Sequence, residues 1–343
     1  MKQIYVLTTI LLLTCINLIA QTTDVVSGLN RPQGMVLNGN DLYIAVQAEN
    51  KISKIDITDA TPTTIDVVTG LNSPKQLFLN GNDLYIAEGN KISKIDITDA
   101  TPTTIDVVTS LNTPQGMILN GNDLYIAEGN KISKIDITDA TPTTIDVVTG
   151  LNFPVQLSLN GNDLYIAELN GNKISKIDIT DVTPTTTDVV TVSSPSSIML
   201  VGNDIYIAEA VAGKVSRIDI TDTTPTTTDV VTGLTAPAGV ALKDNILYIS
   251  DILENKIVSN QITLSLNENL FTEKIKIFPN PSSDFIQFTG LIKKENYKIF
   301  NSLGSIIQNG TISNQEEIDI RSLTTGLYFF KFDNGNTIKF IKE

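Results

Sequence analysis

A repeat of about 40 residues is the feature that most constrains the fold of this chain. The words NGNDLYIA and KISKIDITDATPTTIDVVT recur almost unchanged along it. Aligned on the proline of LNxP, the six copies begin near Val25, Val67, Val107, Val147, Val189 and Val230. A fixed period of this size, built from strand-like words, predicts a repeat architecture before any single residue is considered.

The copy at residues 67–106 contains four short strand patterns separated by turn signals. The strands are expected at Gln76–Leu79, Leu84–Ala87, Lys91–Ile97 and Thr104–Thr109. Asn80–Asp83 reads as a tight hairpin because asparagine and glycine tolerate positive φ. Four antiparallel strands per copy predict an all-β fold in which each copy is one β-propeller blade. A β-solenoid is the alternative, although its coils are usually shorter and lack such hairpins.

The two ends of the repeat region fit each other. The sixth copy stops near Ile262 without its outer TPTTxDVV strand, whereas Thr22–Val26 is that strand, placed before the first copy. We therefore predict a six-bladed β-propeller closed by the N-terminal strand, which leaves no open gap between the first and last blades.

The repeat resembles six-bladed propellers of the NHL and YWTD type over residues 22–262, and more distantly the gluconolactonase group. The matching words are Pro32–Met35, Pro114–Met117, Pro237–Val240 and Leu247–Asp251. The resemblance implies the fold, but propellers include both enzymes and passive binding proteins. Enzymes of this group hold an axial metal with acidic and asparagine ligands from different blades, so a metal-dependent lactonase or hydrolase is the alternative function.

The composition excludes several function classes. The chain has 24 basic and 38 acidic residues, one cysteine (Cys15) and no histidine. Its net charge of −14 repels phosphate backbones and argues against nucleic acid as a partner. Without histidine, a Ser–His–Asp or Cys–His constellation cannot form. We expect no catalytic residues, no resident metal and no cofactor, and we interpret the protein as a non-enzyme.

An acidic residue ends the second strand of five copies, while Val46 stands at this position in the first copy. The five residues are Glu88, Glu128, Glu168, Glu209 and Asp251. We expect this carboxylate ring to be structural, accepting hydrogen bonds from the N–H groups of the turn that follows. Binding of a ligand or cation is the alternative.

The second and third copies differ at six of 40 positions, all in the linking loop and the start of the inner strand. In a propeller these positions surround the mouth of the central channel. We hypothesise that they bind an extracellular glycan or protein through Arg31, Lys75, Gln76, Gln115, Phe153 and Gln156. Drift in loops is the alternative, since loops vary more than strands.

Both ends of the chain carry targeting signals. Residues 1–20 read as a signal peptide cleaved after Ala20, so that no transmembrane segment would remain. Residues 21–262 are the predicted propeller and residues 263–272 a linker. Short strands with turn signals in residues 273–343 predict a small β-sandwich of immunoglobulin-like type.

The last segment resembles the type A C-terminal sorting domain of the type IX secretion system of Bacteroidota. The residues that carry the resemblance are Pro279, Asn280, Pro281, Gly304, Gly326, Tyr328, Lys339 and Lys342. The resemblance implies that the outer-membrane secretion machinery is a partner and that the protein is secreted or attached to the cell surface. We therefore predict an exported recognition module, with a lactonase-like enzyme or a purely structural surface protein as alternatives.

Overall fold

The structure, a computed structural model, describes residues 22–262, 276–289, 294–301, 305–314, 316–332 and 337–343. The chain divides into two compact units at residue 263. The predicted signal peptide and the predicted linker both lie outside the described residues. The repeat region and the C-terminal segment are described separately below.

The repeat region is built from short strands and one 3-10 turn, Gln47–Glu49. The first twelve strands are β1 (Thr23–Ser27), β2 (Pro32–Asn38), β3 (Asp41–Val46), β4 (Lys51–Asp56), β5 (Ile65–Thr69), β6 (Leu77–Asn80), β7 (Asp83–Glu88), β8 (Lys91–Asp96), β9 (Ile105–Val108), β10 (Pro114–Asn120), β11 (Asp123–Glu128) and β12 (Lys131–Asp136). The next twelve are β13 (Ile145–Thr149), β14 (Pro154–Asn160), β15 (Asp163–Glu168), β16 (Lys173–Asp178), β17 (Thr187–Thr191), β18 (Pro195–Val201), β19 (Asp204–Glu209), β20 (Lys214–Asp219), β21 (Thr228–Thr232), β22 (Pro237–Lys243), β23 (Ile246–Asp251) and β24 (Lys256–Gln261).

These strands form six open, four-stranded antiparallel sheets. Sheet one is β2–β5, sheet two β6–β9, sheet three β10–β13, sheet four β14–β17 and sheet five β18–β21, each in chain order. Sheet six has the order β22-β23-β24-β1, so its fourth strand comes from the start of the repeat region. The predicted all-β, propeller-like organisation of repeated four-stranded sheets is confirmed.

Strand β1 reproduces the chemistry of the other outer strands. It pairs antiparallel with β24, with Thr23 opposite Ser259. Lys256 Nζ lies 2.9 Å from Asp24 Oδ1, and the matching pair in sheet two, Lys91 and Asp106, is 2.6 Å apart. The same ion pair therefore forms in sheet six although its two strands lie at opposite ends of the sequence.

Neighbouring sheets are held together by apolar residues from both. The second strand of each sheet is buried on both faces, because alternate side chains point to opposite sides. In sheet two, Tyr85 and Ala87 pack with Leu124 and Ile126 of sheet three. The opposite side of the same strand, Ile86, packs with sheet one. Each fully buried aliphatic side chain contributes about 1.5–3 kcal/mol, so the second strands supply much of the stability.

The first strands of successive sheets contact one another, and β22 of sheet six contacts β2 of sheet one. Hydrogen bonds from β23, the second strand of sheet six, and from β2 to the segment that leads into β6 reinforce these contacts. Ser250 Oγ donates to Gln33 O at 2.7 Å, and the Gly34 N–H donates to Lys75 O at 2.7 Å. We call these first strands, with the residues that lead into them, the inner segments.

The C-terminal unit contains two small sheets. Its strands are β25 (Lys276–Phe278), β26 (Phe285–Thr289), β27 (Glu295–Asn301), β28 (Ile306–Ile312), β29 (Glu317–Asp319), β30 (Gly326–Phe332) and β31 (Thr337–Lys342). One sheet has the order β25-β26-β29 and the other β28-β27-β30-β31. The sheets share one core, in which the Phe288 and Phe330 ring centroids are 4.4 Å apart. Two sheets around one apolar core is the arrangement of a β-sandwich.

Candidate functional site

The linking loops, which connect the fourth strand of one sheet to the first strand of the next, have a recurring backbone geometry. The residue before the proline has a positive φ in five loops: Arg31, Ser73, Thr113, Phe153 and Ser194. This conformation costs about 1–2 kcal/mol for a residue with a side chain. An asparagine of the preceding sheet stabilises it in three of the loops. In one of them, Asn50 Oδ1 accepts the N–H of Ser73 at 2.9 Å.

The carboxylate ring fastens these loops to the sheets. In sheet three, Glu128 is 2 % exposed; its Oε2 accepts the Asn112 N–H at 2.7 Å and its Oε1 accepts the Ser133 hydroxyl at 2.6 Å. The corresponding loop donors are Asn72 to Glu88, Asn152 to Glu168, Ser193 to Glu209, and both Thr235 and Ala236 to Asp251. The expected donor, the turn after the carboxylate, was wrong for the four glutamates, whose backbone partner is the linking loop 16 residues earlier. Asp251 alone also accepts a following N–H, that of Glu254, at 3.4 Å.

Sheet one replaces the missing carboxylate with another residue. Val46 is fully buried, and Glu49 in the 3-10 turn accepts the Asn30 N–H at 3.1 Å and pairs with Lys51 at 2.8 Å. Alignment of the repeats did not reveal Glu49, because it lies beyond the aligned position. The available signal was the word AVQAENK, which is two residues longer than the corresponding AEGNK of the second copy.

These contacts determine what the carboxylates can do chemically. Both oxygens of Glu88, Glu128, Glu168, Glu209 and Asp251 already accept hydrogen bonds. Within the part of the chain that the structure describes, no three His, Cys, Asp or Glu residues are grouped so as to hold a metal ion. The geometry therefore supports a structural role for this ring.

Two of the predicted binding residues pack between inner segments. Gln76 is 8 % exposed and lies over Gly34 of sheet one, where an added Cβ would be 2.0 Å from Gln76 Oε1. Gln156 lies over Gly116 of sheet three in the same way, at 2.1 Å. A glycine opposite each glutamine leaves the space that its amide fills.

Gln115 and Phe153 also have partners within the protein. Gln115 is 8 % exposed, and its Nε2 donates to Thr113 O at 3.2 Å. Phe153 is half-buried and packs against the core between sheets four and five. Both side chains are therefore held by contacts within the protein.

Arg31 and Lys75 differ from the other cations of the repeat region. Arg31 is exposed and Lys75 is half-buried. Within residues 22–262 neither side chain has an ion-pair or hydrogen-bond partner, whereas Lys91 and Lys131 each bind an aspartate on the outer strand. Burial lowers the pKa of Lys75, because it disfavours the charged form and no anion compensates.

A separate groove of about 610 Å³ lies at the outer strands, between sheets four and five. Threonines dominate its lining, together with Tyr165, Lys176 and Asp222. Lys176 is already paired with Asp163 at 2.8 Å and lies over the Tyr165 ring. The groove contains none of the predicted binding residues.

The sorting-domain residues fix the C-terminal strand. The Asn280 side chain bridges two backbone groups of β31: its Nδ2 donates to Lys339 O at 3.2 Å, and its Oδ1 accepts the Ile341 N–H at 3.0 Å. Pro279 and Pro281 flank this asparagine. The motif therefore holds the end of the chain against the start of the domain.

The remaining motif residues lie on or next to the same sheet. Tyr328 stacks on Phe340 at 5.5 Å, and its hydroxyl donates to Thr324 O at 2.9 Å. Gly326 begins β30. The side chain of Lys339 is exposed, whereas Lys342 is buried and donates to Glu343 O. Gly304 lies outside the described residues.

Comparison with solved structures places the repeat region among propeller-like folds. A streptogramin B lyase aligns with a TM-score of 0.53 and 17 % identity over 71 % of this chain and 97 % of its own. A Trichoderma reesei carbohydrate-active enzyme of family AA12 aligns with a TM-score of 0.59 and 13 % identity over 70 % of this chain and 96 % of its own. An Agrobacterium tumefaciens calcium-binding regucalcin aligns with a TM-score of 0.54 and 12 % identity over 71 % of this chain and 93 % of its own. At these identities the likeness shows the fold alone.

The sequence was also compared with curated proteins and with protein-family models. No curated protein matches the chain in sequence. Among the described residues, no helix is long and apolar enough to cross a membrane.

Residues 276–343 match a family model, the secretion system C-terminal sorting domain. The C-terminal unit is thus a sorting domain of the type IX secretion system, and the protein is exported, either secreted or attached to the cell surface.

Proposed function

We propose that the protein is a non-enzymatic recognition module, a closed six-bladed propeller that binds an extracellular glycan or protein at the mouth of its central channel. Contacts between the inner segments of sheets six and one support closure. The β1–β24 pairing, with its Lys256–Asp24 ion pair, supports the N-terminal strand as the closing element.

The observation that carries the binding proposal is the placement of Arg31 and Lys75. Both lie at the linking-loop ends of inner segments, where the near-identical copies differ. They are the two side-chain cations of residues 22–262 without a protein partner. A cation without a counter-ion next to a buried strand is available to a ligand.

Binding should be tested with the full chain on glycan and peptide arrays. The Arg31→Ala/Lys75→Ala double variant should lose the captured ligand. Lys243→Ala is the matched control, since Lys243 is half-buried at the opposite end of an inner segment and bonds Gly39 O at 2.8 Å. Equal capture by the wild type and the double variant would contradict the proposed site.

The non-enzymatic role is supported by the carboxylate ring, whose oxygens are committed to loop N–H groups and serines. Lactone hydrolysis in the presence of Ca²⁺ is the appropriate assay. A hydrolytic activity that disappears in Glu128→Gln but persists in the exposed variant Asp99→Asn would refute this role.

Export should require the C-terminal unit. We propose that residues 1–20 direct the chain to the periplasm and that the sorting domain engages the outer-membrane secretion machinery. A chain ending at Ile262 should fold and remain in the periplasm, because the recognised segment is absent. Fractionation and immunoblotting would measure this, and normal appearance of the truncated chain outside the cell would defeat the export route.

A further inference from the structure

The third-strand lysines of the repeat region form a regular pattern that Lys75 does not share. Third-strand lysines pair with acids on both neighbouring strands, as in Lys91 with Asp106 at 2.6 Å and Lys94 with Asp83 at 2.8 Å. The same pairing is found for Lys51, Lys54, Lys131, Lys134, Lys173, Lys176 and Lys214. Lys75 lies on an inner segment and has no such acid among the described residues 22–262.

The backbone around Lys75 also departs from the repeat. Five inner strands begin at their proline, whereas β6 begins at Leu77, three residues after Pro74. The Lys75 N–H donates to Ala87 O at 2.9 Å, and Lys75 O accepts the Gly34 N–H of sheet one at 2.7 Å. These two bonds hold the Lys75 backbone between β7 of its own sheet and the inner segment of sheet one.

The residues aligned with Lys75 on both neighbouring sheets are amides. Gln33 occupies this position on sheet one and Gln115 on sheet three. Gln33 Nε2 donates to Gln47 Oε1 at 2.9 Å, and Gln115 Nε2 donates to Thr113 O at 3.2 Å. Each amide retains its carbonyl oxygen, which can accept a hydrogen bond from a ligand hydroxyl.

The surrounding charge makes an unpaired cation informative. Residues 22–262 contain 29 acidic and 14 basic residues, and yet none of the acids pairs with Lys75. A half-buried cation has lost part of its hydration, so an anion that reaches it gains a charge-assisted hydrogen bond. Within an otherwise acidic surface, such a site selects a ligand that presents its negative charge at one point.

We propose that Lys75 is the carboxylate-binding residue of the channel mouth and that its ligand is an acidic saccharide, with Gln33 and Gln115 contacting the sugar hydroxyls. This inference rests on the proposed function and narrows it to one ligand class. The saccharide is favoured over an acidic peptide because amides occupy the positions aligned with Lys75 on both neighbouring sheets, a combination that suits one carboxylate surrounded by hydroxyls.

The test is an NMR titration of the full chain, labelled with ¹³C at lysine, with D-glucuronate, acetate, D-glucose and tetraglutamate as probes. Glucuronate should shift the Lys75 ε-methylene signal saturably, acetate should bind more weakly, and glucose should leave the signal unchanged. Lys75→Gln, which installs the residue of sheet three, should weaken glucuronate binding by about tenfold or more, the equivalent of one charge-assisted hydrogen bond. Lys243→Gln should leave it unchanged.

The other outcomes each overturn the inference in a distinct way. Acetate binding as tightly as glucuronate would reduce the site to a general anion site. Tighter binding of tetraglutamate would identify a peptide ligand. Glucose binding that is insensitive to Lys75→Gln would refute the carboxylate contact and leave recognition at the mouth intact. If no probe perturbs Lys75, the acidic-saccharide ligand is wrong, while the array experiment decides the proposed function separately.

Discussion

Sheets two and three differ in sequence at six of 40 positions, and the structure keeps their differences local. Strands β7 and β11 have equivalent bounds, and Glu88 and Glu128 bind their loop N–H groups at 2.6 and 2.7 Å. Their first strands differ, since β6 begins at Leu77 and β10 at Pro114. The comparison separates two parts of each sheet. The second, third and fourth strands form a repeated framework, and the inner segments can change without disturbing it.

The largest effect is expected where the framework is buried. Glu128→Ala leaves the Asn112 N–H and the buried Ser133 hydroxyl without an acceptor, so the free energy of unfolding should fall by about 2–4 kcal/mol. Glu88→Ala should cost the same within about 0.5 kcal/mol, as urea unfolding of the full chain would measure. A clearly smaller cost in sheet two would mean that the framework is not shared.

Glu49→Ala should have an intermediate effect. The Glu49 side chain is 33 % exposed and accepts one linking-loop N–H, that of Asn30. In the variant, water can therefore accept the Asn30 N–H in place of the carboxylate. We expect a loss of about 1 kcal/mol in the same unfolding experiment. A cost as large as that of Glu128→Ala would show that exposure does not weaken this loop contact.

Lys75→Gln makes sheet two resemble sheet three at one position. Removing a half-buried cation without a partner should raise the free energy of unfolding by at most about 1 kcal/mol. Lys131→Gln, its counterpart in the framework, removes an ion pair with the exposed Asp146 and should lower it by about 0.5 kcal/mol. Destabilisation by Lys75→Gln would point to a protein contact for Lys75 and weaken its assignment to a ligand.

The smallest effect is expected at the outer edge. Ile105 begins β9 and is 60 % exposed, and threonine begins β17 and β21 at the aligned position. Ile105→Thr should change the unfolding free energy by less than about 0.5 kcal/mol. Val108→Thr, at a buried position of the same strand, is the control and should destabilise measurably.

The sequence predicted the repeated sheets because their signals are local. Alternation in KISKIDI and the Asn-Gly turns determine strands and hairpins within a few residues. The export domain was predictable because several of its motifs occur in order near the end of the chain, and the family model confirms it.

Contacts between distant segments could not be read from the repeat. The glutamates bind N–H groups 16 residues upstream, and Glu49 replaces a carboxylate from an unaligned position. Packing of Gln76 over Gly34 depends on how neighbouring sheets meet, which a single copy does not encode. The late start of β6 at Leu77 is likewise not explained by Gln76 alone. Gln156 occupies the aligned position in β14, and yet β14 begins at its proline, Pro154.

The most direct test of the contrast between framework and mouth is the titration of individual lysines by NMR. Burial lowers the pKa of Lys75, whereas hydrogen bonds to Asp106 and Asp146 raise the pKa values of Lys91 and Lys131. Stability should therefore rise with pH through the Lys75 titration, because the unfolded state binds more protons there, and fall through those of Lys91 and Lys131. The account predicts that Lys75 titrates below the ordinary lysine value and the other two above it. Titration of all three lysines over the same pH range would contradict the account.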